Sequence, residues 1–438
     1  MKKLVTVLLL GSIATFSFAQ DIDKILNAKE VERIERTLSS DEMQGRATFS
    51  PGIDKAAAFI ADEFKKAGLQ PWNGTTFIQQ LPNMVAGKPT SISIKLDGVD
   101  FDPKNVIISS GKLDVQMNEQ SGYEKVWIAK GANINTEMRK YAGAKKYLVL
   151  VDTSFTATFA RMQAQGGRPS AQSDRSVIMV LTTQDPKTYS VSAKFPELKL
   201  QNVVGILPGK SRKNEYVIFS GHYDHLGIRG GKDRDGNVIT DSIYNGANDD
   251  AAGTTAVMML GKYFKAVNDN ERTLVFAAFT AEEVGGYGAQ YFSKQYKPEE
   301  VMAMFNIEMI GTESKWGRNS AYITGYERTD MGQILQKNLE GSGFTFYPDP
   351  YPAQQLFFRS DNATLAALGV PAHTISTSKM ENPPEPNYHK ASDEIGTLDM
   401  ENMAKIIKSI AISSKGIVSG KETPTRVDVS SLNRGARN

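Results

Sequence analysis

Glu282 and Glu283 form a carboxylate pair separated by a single alanine from the apolar run Leu274-Val275-Phe276-Ala277-Ala278-Phe279-Thr280, where a buried strand should end. Ionised carboxylates held out of water need a cation or a proton to compensate them, so the pair calls for a partner, and a metal ion is the first candidate. By itself a Glu-Glu pair reads as a solvated turn. Four further segments change that reading: Gly221-His222-Tyr223-Asp224-His225, Asn245-Gly246-Ala247-Asn248-Asp249-Asp250, Asn306-Ile307-Glu308-Met309-Ile310-Gly311 and Tyr388-His389. Each puts metal-binding side chains at an expected strand end or in a loop beyond one. Alternation along an extended chain points His222 and Asp224 the same way, which suits a ligand histidine whose neighbouring carboxylate fixes the ring. The chain has no cysteine. Thiolate ligands and cysteine nucleophiles are thereby excluded, and any metal must be held by nitrogen and oxygen.

The elements that must position these residues follow a strand-then-helix rhythm from 202 onward. Apolar runs at 216–220, 274–280, 304–307 and 372–376 read as buried strands, and 251–264, 288–294, 329–339 and 400–413 as helices. Met403, Ile406, Ile407 and Ile410 give the last helix its buried stripe, with Asp399 as its cap. Such alternation predicts an α/β sheet covered by helices on both faces, a three-layer α/β/α arrangement, with sites at the carboxyl ends of strands. An earlier helix is expected over 55–67, ending at Gly68. Between 85 and 200 the pattern changes to short strands: Ile92, Ile94 and Leu96 alternate, Asp97-Gly98 turns, and 126–129, 147–151 and 177–181 are apolar runs, with a helix-like stretch at 155–164. The predicted organisation is a leader over 1–19, a first part of the catalytic domain over 20–84, a β-rich insert over 85–200, the main catalytic part over 201–420 and a loose tail over 421–438.

Met1-Lys2-Lys3, the apolar run to Phe16 and the small residues up to Ala19 have the three parts of a secretory signal peptide. The expectation is an exported protein, periplasmic or secreted, with no membrane association once the leader is cleaved. Loss of Lys2 and Lys3 takes the formal charge from +2 to 0, which leaves no electrostatic case for nucleic acid or an anionic membrane.

The order His-x-Asp, Asn-Asp-Asp, Glu-Glu, an acid in Asn-x-x-Met-x-Gly, then Tyr-His resembles peptidase family M28, the co-catalytic zinc aminopeptidases, from Asn202 to Ser413. The resemblance implies the zinc exopeptidase fold, peptide substrates and two Zn²⁺ per chain. Asp249 would bridge them, His222 and Glu308 would complete one site, and Glu283 and His389 the other, each with an open position. Glu282 would then be the general base, taking the proton of the attacking water. It also implies that Asp224 orients His222, that the Asp249-Asp250 peptide is cis, that Tyr388 polarises the scissile carbonyl, and that Arg359 and Asp361 line the substrate pocket. Tyr388 reads equally well as an aromatic packing a loop. Two positions depart from the family: Glu308 stands where Asp is usual, a longer reach, and Ala281 where Gly is common. His225 and His373 read as satisfied loop or core histidines. The insert loosely resembles a protease-associated domain, and Asp233-Arg234-Asp235-Gly236-Asn237 reads as a hairpin turn rather than a calcium loop, since the downstream acid is missing.

The leading expectation is therefore a two-zinc aminopeptidase. The alternatives are a carboxypeptidase of the same fold, a glutaminyl cyclase-like enzyme with one zinc, and a non-catalytic peptide binder, the last disfavoured by retention of Glu282.

Overall fold

The strands that carry the ligand-type residues lie parallel at the centre of one large sheet. The computed structural model describes residues 22–141, 145–231, 238, 240–381 and 384–432; the expected leader and the turn at 233–237 lie outside them. Helices α1 (Ala28–Leu38) and α2 (Pro51–Lys66) come first. The Asn27 side chain caps α1 by accepting the Glu30 N–H, and a proline occupies the first turn of α2. Nine strands follow: β1 (Gln70–Pro71), β2 (Ile78–Gln80), β3 (Gln201–Leu207), β4 (Arg212–His222), β5 (Arg272–Phe279), β6 (Val301–Ile307), β7 (Ser320–Ile323), β8 (Thr345–Pro348) and β9 (Ala372–Ser376). Their order is β1-β3-β5-β4-β6-β9-β7-β8, with β2 also on β3. The four central strands β5, β4, β6 and β9 are parallel, and β3 and β7 join them antiparallel.

Both faces of the sheet are covered, as the unbroken apolar runs require. Val217, Phe219, Leu274, Phe276 and Phe305 face one layer, formed by α1, α2, α3 (Ala252–Val267), α5 (Met331–Asn338) and α7 (Met400–Ser413). Their neighbours Ile218, Val275, Ala277, Phe279 and Met304 face the other, where α4 (Tyr287–Ser293) and α6 (Asn362–Ala366) pack. The period of two along each strand sorts the side chains. Phe219 anchors the first layer, its ring stacked on Phe264, Phe276 and Phe305 with centroids 5.4, 5.6 and 4.9 Å away.

Two four-stranded sheets occupy the segment between 91 and 194. One contains Ser91–Leu96, Val99–Asp100, Asp114–Met117 and Tyr189–Lys194, the other Val106–Ser110, Glu124–Ile128, Lys146–Val151 and Ser176–Leu181. Ile94, Leu96 and Val191 of the first pack on Val106, Ile108 and Ile178 of the second. The short strands Met84–Val85, Ser170–Ala171 and Glu197–Leu198 pair at the neck.

One expectation is corrected. Residues 422–427, predicted to be a loose tail, are fastened to the sheet. The buried Arg272 donates to the carbonyls of Ile417 and Glu422, Arg426 donates to the carbonyls of Pro298 and Val301, and Val427 is buried. A polar composition hid these backbone acceptors. Among the described residues no helix is long and apolar enough to cross a membrane.

Candidate metal centre

Because β4, β5, β6 and β9 are parallel, their carboxyl ends open on one edge of the sheet. The register pairs His222 with Phe279 and Ser220 with Asn306. His222 is therefore the last residue of β4, while Glu282-Glu283 and Glu308 emerge just beyond β5 and β6. Asp249 enters from the loop before α3, and His389 from the loop before α7.

These side chains converge into two groups that share Asp249: His222, Asp249 and Glu308, and His225, Asp249 and Glu283. Asp249 divides its carboxylate between them. Its Oδ1 lies 3.3 Å from Nε2 of His222, and its Oδ2 lies 3.2 Å from Nε2 of His389. His389 Nε2 is also 3.3 Å from Oε1 of Glu283. His222 Nε2 and Glu283 Oε1 are buried without a hydrogen-bond partner, although buried polar atoms ordinarily find one. Nitrogen and oxygen donors about 2.0–2.2 Å from a tetrahedral zinc stand about 3.3–3.6 Å apart, so the spacing and donor set fit that ion.

The loops are held by their own hydrogen bonds. The Asp250 carboxylate accepts the amides of His222 (3.1 Å), Gly253 (3.0 Å) and Met309 (3.0 Å), joining three ligand-bearing segments. That requires a glycine at 253, where a Cβ would lie 2.0 Å from the carbonyl oxygen of Ile307. Asp393 accepts the amides of Asn248 and Asp249 at 2.8 and 3.0 Å. Arg46, fully buried, donates to the carbonyls of Leu38, Tyr223, Asn245 and Gly246 at 2.6–2.9 Å. No motif marked Arg46 in the sequence; its signal is purely tertiary.

The site's charges act on one another strongly. Burial alone would lower His222, but Asp249, Glu282 and Asp250 raise it well above its ordinary range. Burial would raise Asp249, yet His222, His389 and His225 hold it well below. Burial and the Asp249 charge would raise Glu283, and His225 and His389 bring it down to about 2. Glu282 behaves oppositely: burial pushes it well up, and Glu308, Asp361 and Glu283 add repulsion against the opposing His222. The two carboxyls of the pair are thus shifted in opposite directions by their surroundings.

Residues 202–412, the segment that supplies His222, His225, Asp249, Glu282, Glu283, Glu308 and His389, match peptidase family M28. That segment, just under half of the chain, is similar to peptidase family M28. Aminopeptidase YwaD of Bacillus subtilis is 26% identical over 239 residues, 51% of this chain and 46% of the relative. A probable zinc metalloprotease of Pyrenophora teres f. teres is 26% identical over 251 residues, 54% of this chain and 52% of the relative. The chain spans about half the length of these curated relatives. Among solved structures, the aminopeptidase from Aneurinibacillus sp. strain AM-1 aligns with a TM-score of 0.52 at 18% identity, covering 93% of this chain and 97% of that one. BSAP, a zinc aminopeptidase from Bacillus subtilis, aligns with a TM-score of 0.54 at 17% identity, covering 91% and 97%. The shared fold is the mixed α/β sheet described above.

Several features of the chain refine the sequence reading. The Asp249-Asp250 peptide is cis. Glu308, despite its extra methylene, brings its carboxylate to His222 and Asp249. Ala281, Met309 and His389 adopt left-handed φ values of 61, 51 and 57°, conformations that non-glycine residues adopt at a cost and that cluster at functional sites. Asp224 acts differently from expectation. His222 Nδ1 meets the carbonyl of Asp224 at 3.1 Å and its carboxylate only at 3.8 Å, while that carboxylate accepts the amides of Glu282 and Glu283 and the Thr48 hydroxyl.

Tyr388 stacks on His389 with centroids 4.0 Å apart and packs with Met309, Tyr322, Leu356 and Met380, so it belongs to both an apolar cluster and the rim of the site. Arg359 is exposed and lines a small cavity with Glu308, Tyr322 and Tyr388. Asp361 is buried, both its oxygens lack partners, and burial pushes its carboxyl up to about 7. His373 is a satisfied core histidine, Nδ1 against the Thr324 carbonyl and Nε2 against the Thr329 hydroxyl, both at 2.8 Å. His225 is not. It is buried beside Glu283 with neither ring nitrogen hydrogen-bonded, a position the sequence reading missed.

Proposed function

We propose that the protein is a dinuclear zinc aminopeptidase that hydrolyses the first peptide bond of peptides. The observation that carries the reading is the divided carboxylate of Asp249, one oxygen toward His222 and the other toward His389. His222 and Glu308 would hold one ion, Glu283 and His389 the other. When bound, the metal centre polarises the scissile carbonyl and acidifies the attacking water. Glu282, outside both groups and raised in pKa, takes the proton from that water and delivers it to the leaving amine. The Tyr388 hydroxyl, held protonated by burial and the surrounding carboxylates, donates a hydrogen bond to the carbonyl oxygen. Asp361, buried close enough to act electrostatically on Glu282, helps shape the site.

The carboxylates around the site favour a cationic amino terminus over a carboxylate as the recognised end of the peptide. Arg359 beside Glu308 supports carboxypeptidase action as the second reading. Two complete groups sharing one carboxylate favour two ions over the single zinc of a glutaminyl cyclase. The test is metal analysis combined with reporter peptides blocked at either end. Two zinc ions per chain and turnover abolished by amino-terminal blocking are expected. One zinc with cyclisation of amino-terminal Gln peptides, or turnover lost only on carboxyl-terminal blocking, would overturn the proposal.

A further inference from the structure

We propose that His225 is a protein ligand of the zinc ion held by Glu283 and His389, giving that site four protein donors while the His222 and Glu308 site keeps three. The proposal rests on the dinuclear zinc reading above and adds a residue and an asymmetry to it. His225 Nδ1 lies 2.9 Å from Oε1 of Glu283 and 3.9 Å from Oδ2 of Asp249, the two oxygens that His389 Nε2 faces at 3.3 and 3.2 Å. Nitrogens from two histidines therefore close on one pair of carboxylate oxygens, and their rings meet at 67° with centroids 5.9 Å apart. Despite the short Nδ1 to Oε1 approach, neither atom finds hydrogen-bond geometry, and both are buried. A cation shared by the two donors would account for that combination.

The ring is also built in. Its amide donates to the Arg46 carbonyl at 3.2 Å. Gly246, at φ +56°, leaves open the space where a Cβ would stand 2.4 Å from the ring, so the ring lies directly against the loop that carries Asp249. His373, with both nitrogens satisfied, shows what a structural histidine looks like in this fold.

Four protein donors close a tetrahedral zinc site, whereas three leave it open. Zinc at the Glu283 side is then the tightly held ion, and exchange with solvent and substrate falls to the His222 side.

The experiment is cobalt and zinc loading of the full chain, read by competition with a chromophoric chelator, by the visible cobalt spectrum and by paramagnetically shifted imidazole N–H resonances. The chain has four histidines, so the fully loaded cobalt protein should show three shifted imidazoles; two would overturn the proposal without any variant. Wild type should bind two ions with well-separated affinities. His225→Asn keeps an N–H near the Nδ1 position and so preserves a merely orienting contact to Glu283. It should weaken the tight ion by about 100-fold or more, at the upper end of or beyond the 10–100-fold of a residue that only orients a ligand, and dim the first cobalt equivalent. His225→Ala should recover the spectrum with added imidazole. Unchanged tight affinity and spectrum in His225→Asn would overturn the role of His225, whereas wild type binding a single ion would overturn the dinuclear reading itself.

Discussion

The Asp224 carboxylate accepts the backbone amide of Glu282 at 3.0 Å and that of Glu283 at 3.3 Å. One acid at the end of β4 thus sets where the carboxylate pair after β5 stands. Asp224→Ala leaves two amides and the Thr48 hydroxyl without their acceptor, and each such loss in a buried setting costs about 1–3 kcal/mol. The variant should melt earlier and lose kcat more than KM, because the Glu pair shifts while the substrate rim remains. Wild-type kcat in a folded Asp224→Ala protein would show that the pair is positioned by other contacts.

Arg46 ties the segment before α2 to the two loops that carry His222 and Asp249. Its replacement by Met would leave four carbonyl acceptors buried and unpaired. A loss of about 3–5 kcal/mol is expected, as for breaking a buried charged network, together with weaker metal binding. Denaturant unfolding and metal titration measure the two effects. A loss confined to stability, with metal affinity unchanged, would separate Arg46 from the site.

Glu35 is buried in α1 with one oxygen on the Thr255 hydroxyl and the other unpartnered, and burial pushes its carboxyl up from 4.5 to about 8. Between those values it is neutral when folded and ionised when unfolded. Stability contributed by the neutral form therefore falls as pH rises through the window, by up to about 1.4 kcal/mol per unit. In metal-free protein, Glu35→Gln should flatten the stability profile from pH 5 to 8 and raise stability most at pH 8. A parallel profile, merely offset, would contradict this.

On the acid side the sign reverses with the group. Burial lowers His373 from 6.5 to about 4, so it is neutral when folded and protonated when unfolded between those values. Stability is then lost as pH falls from 6.5 toward 4. Substituting Gln, which keeps a donor and an acceptor, should remove that part of the acid slope in equilibrium unfolding at pH 4–7.

Much of this was legible in the sequence because it is encoded locally. The stripe Met403, Ile406, Ile407, Ile410 with its Asp399 cap predicts 400–413, the bounds α7 adopts. The central strands are apolar on both faces, so their runs are unbroken and easily read, whereas β7 and β8 are four residues each and carry little pattern. The candidate ligand residues stood out because acids and histidines recur at the ends of such strands, where burial makes uncompensated charge costly. Arg46, the fastening of 422–427 and the position of His225 were not legible: each depends on backbone atoms far away in sequence. His225 and His373 look alike in the chain, and only their neighbours separate them.

The most direct test of the account is kcat of Glu282→Gln on an amino-terminal reporter peptide, with metal content determined on the same sample. General base catalysis contributes about 10²–10⁴-fold, so a loss of that size with two zinc ions still bound per chain is expected. Turnover unchanged from wild type would contradict the division of the Glu282-Glu283 pair into a proton carrier and a metal ligand.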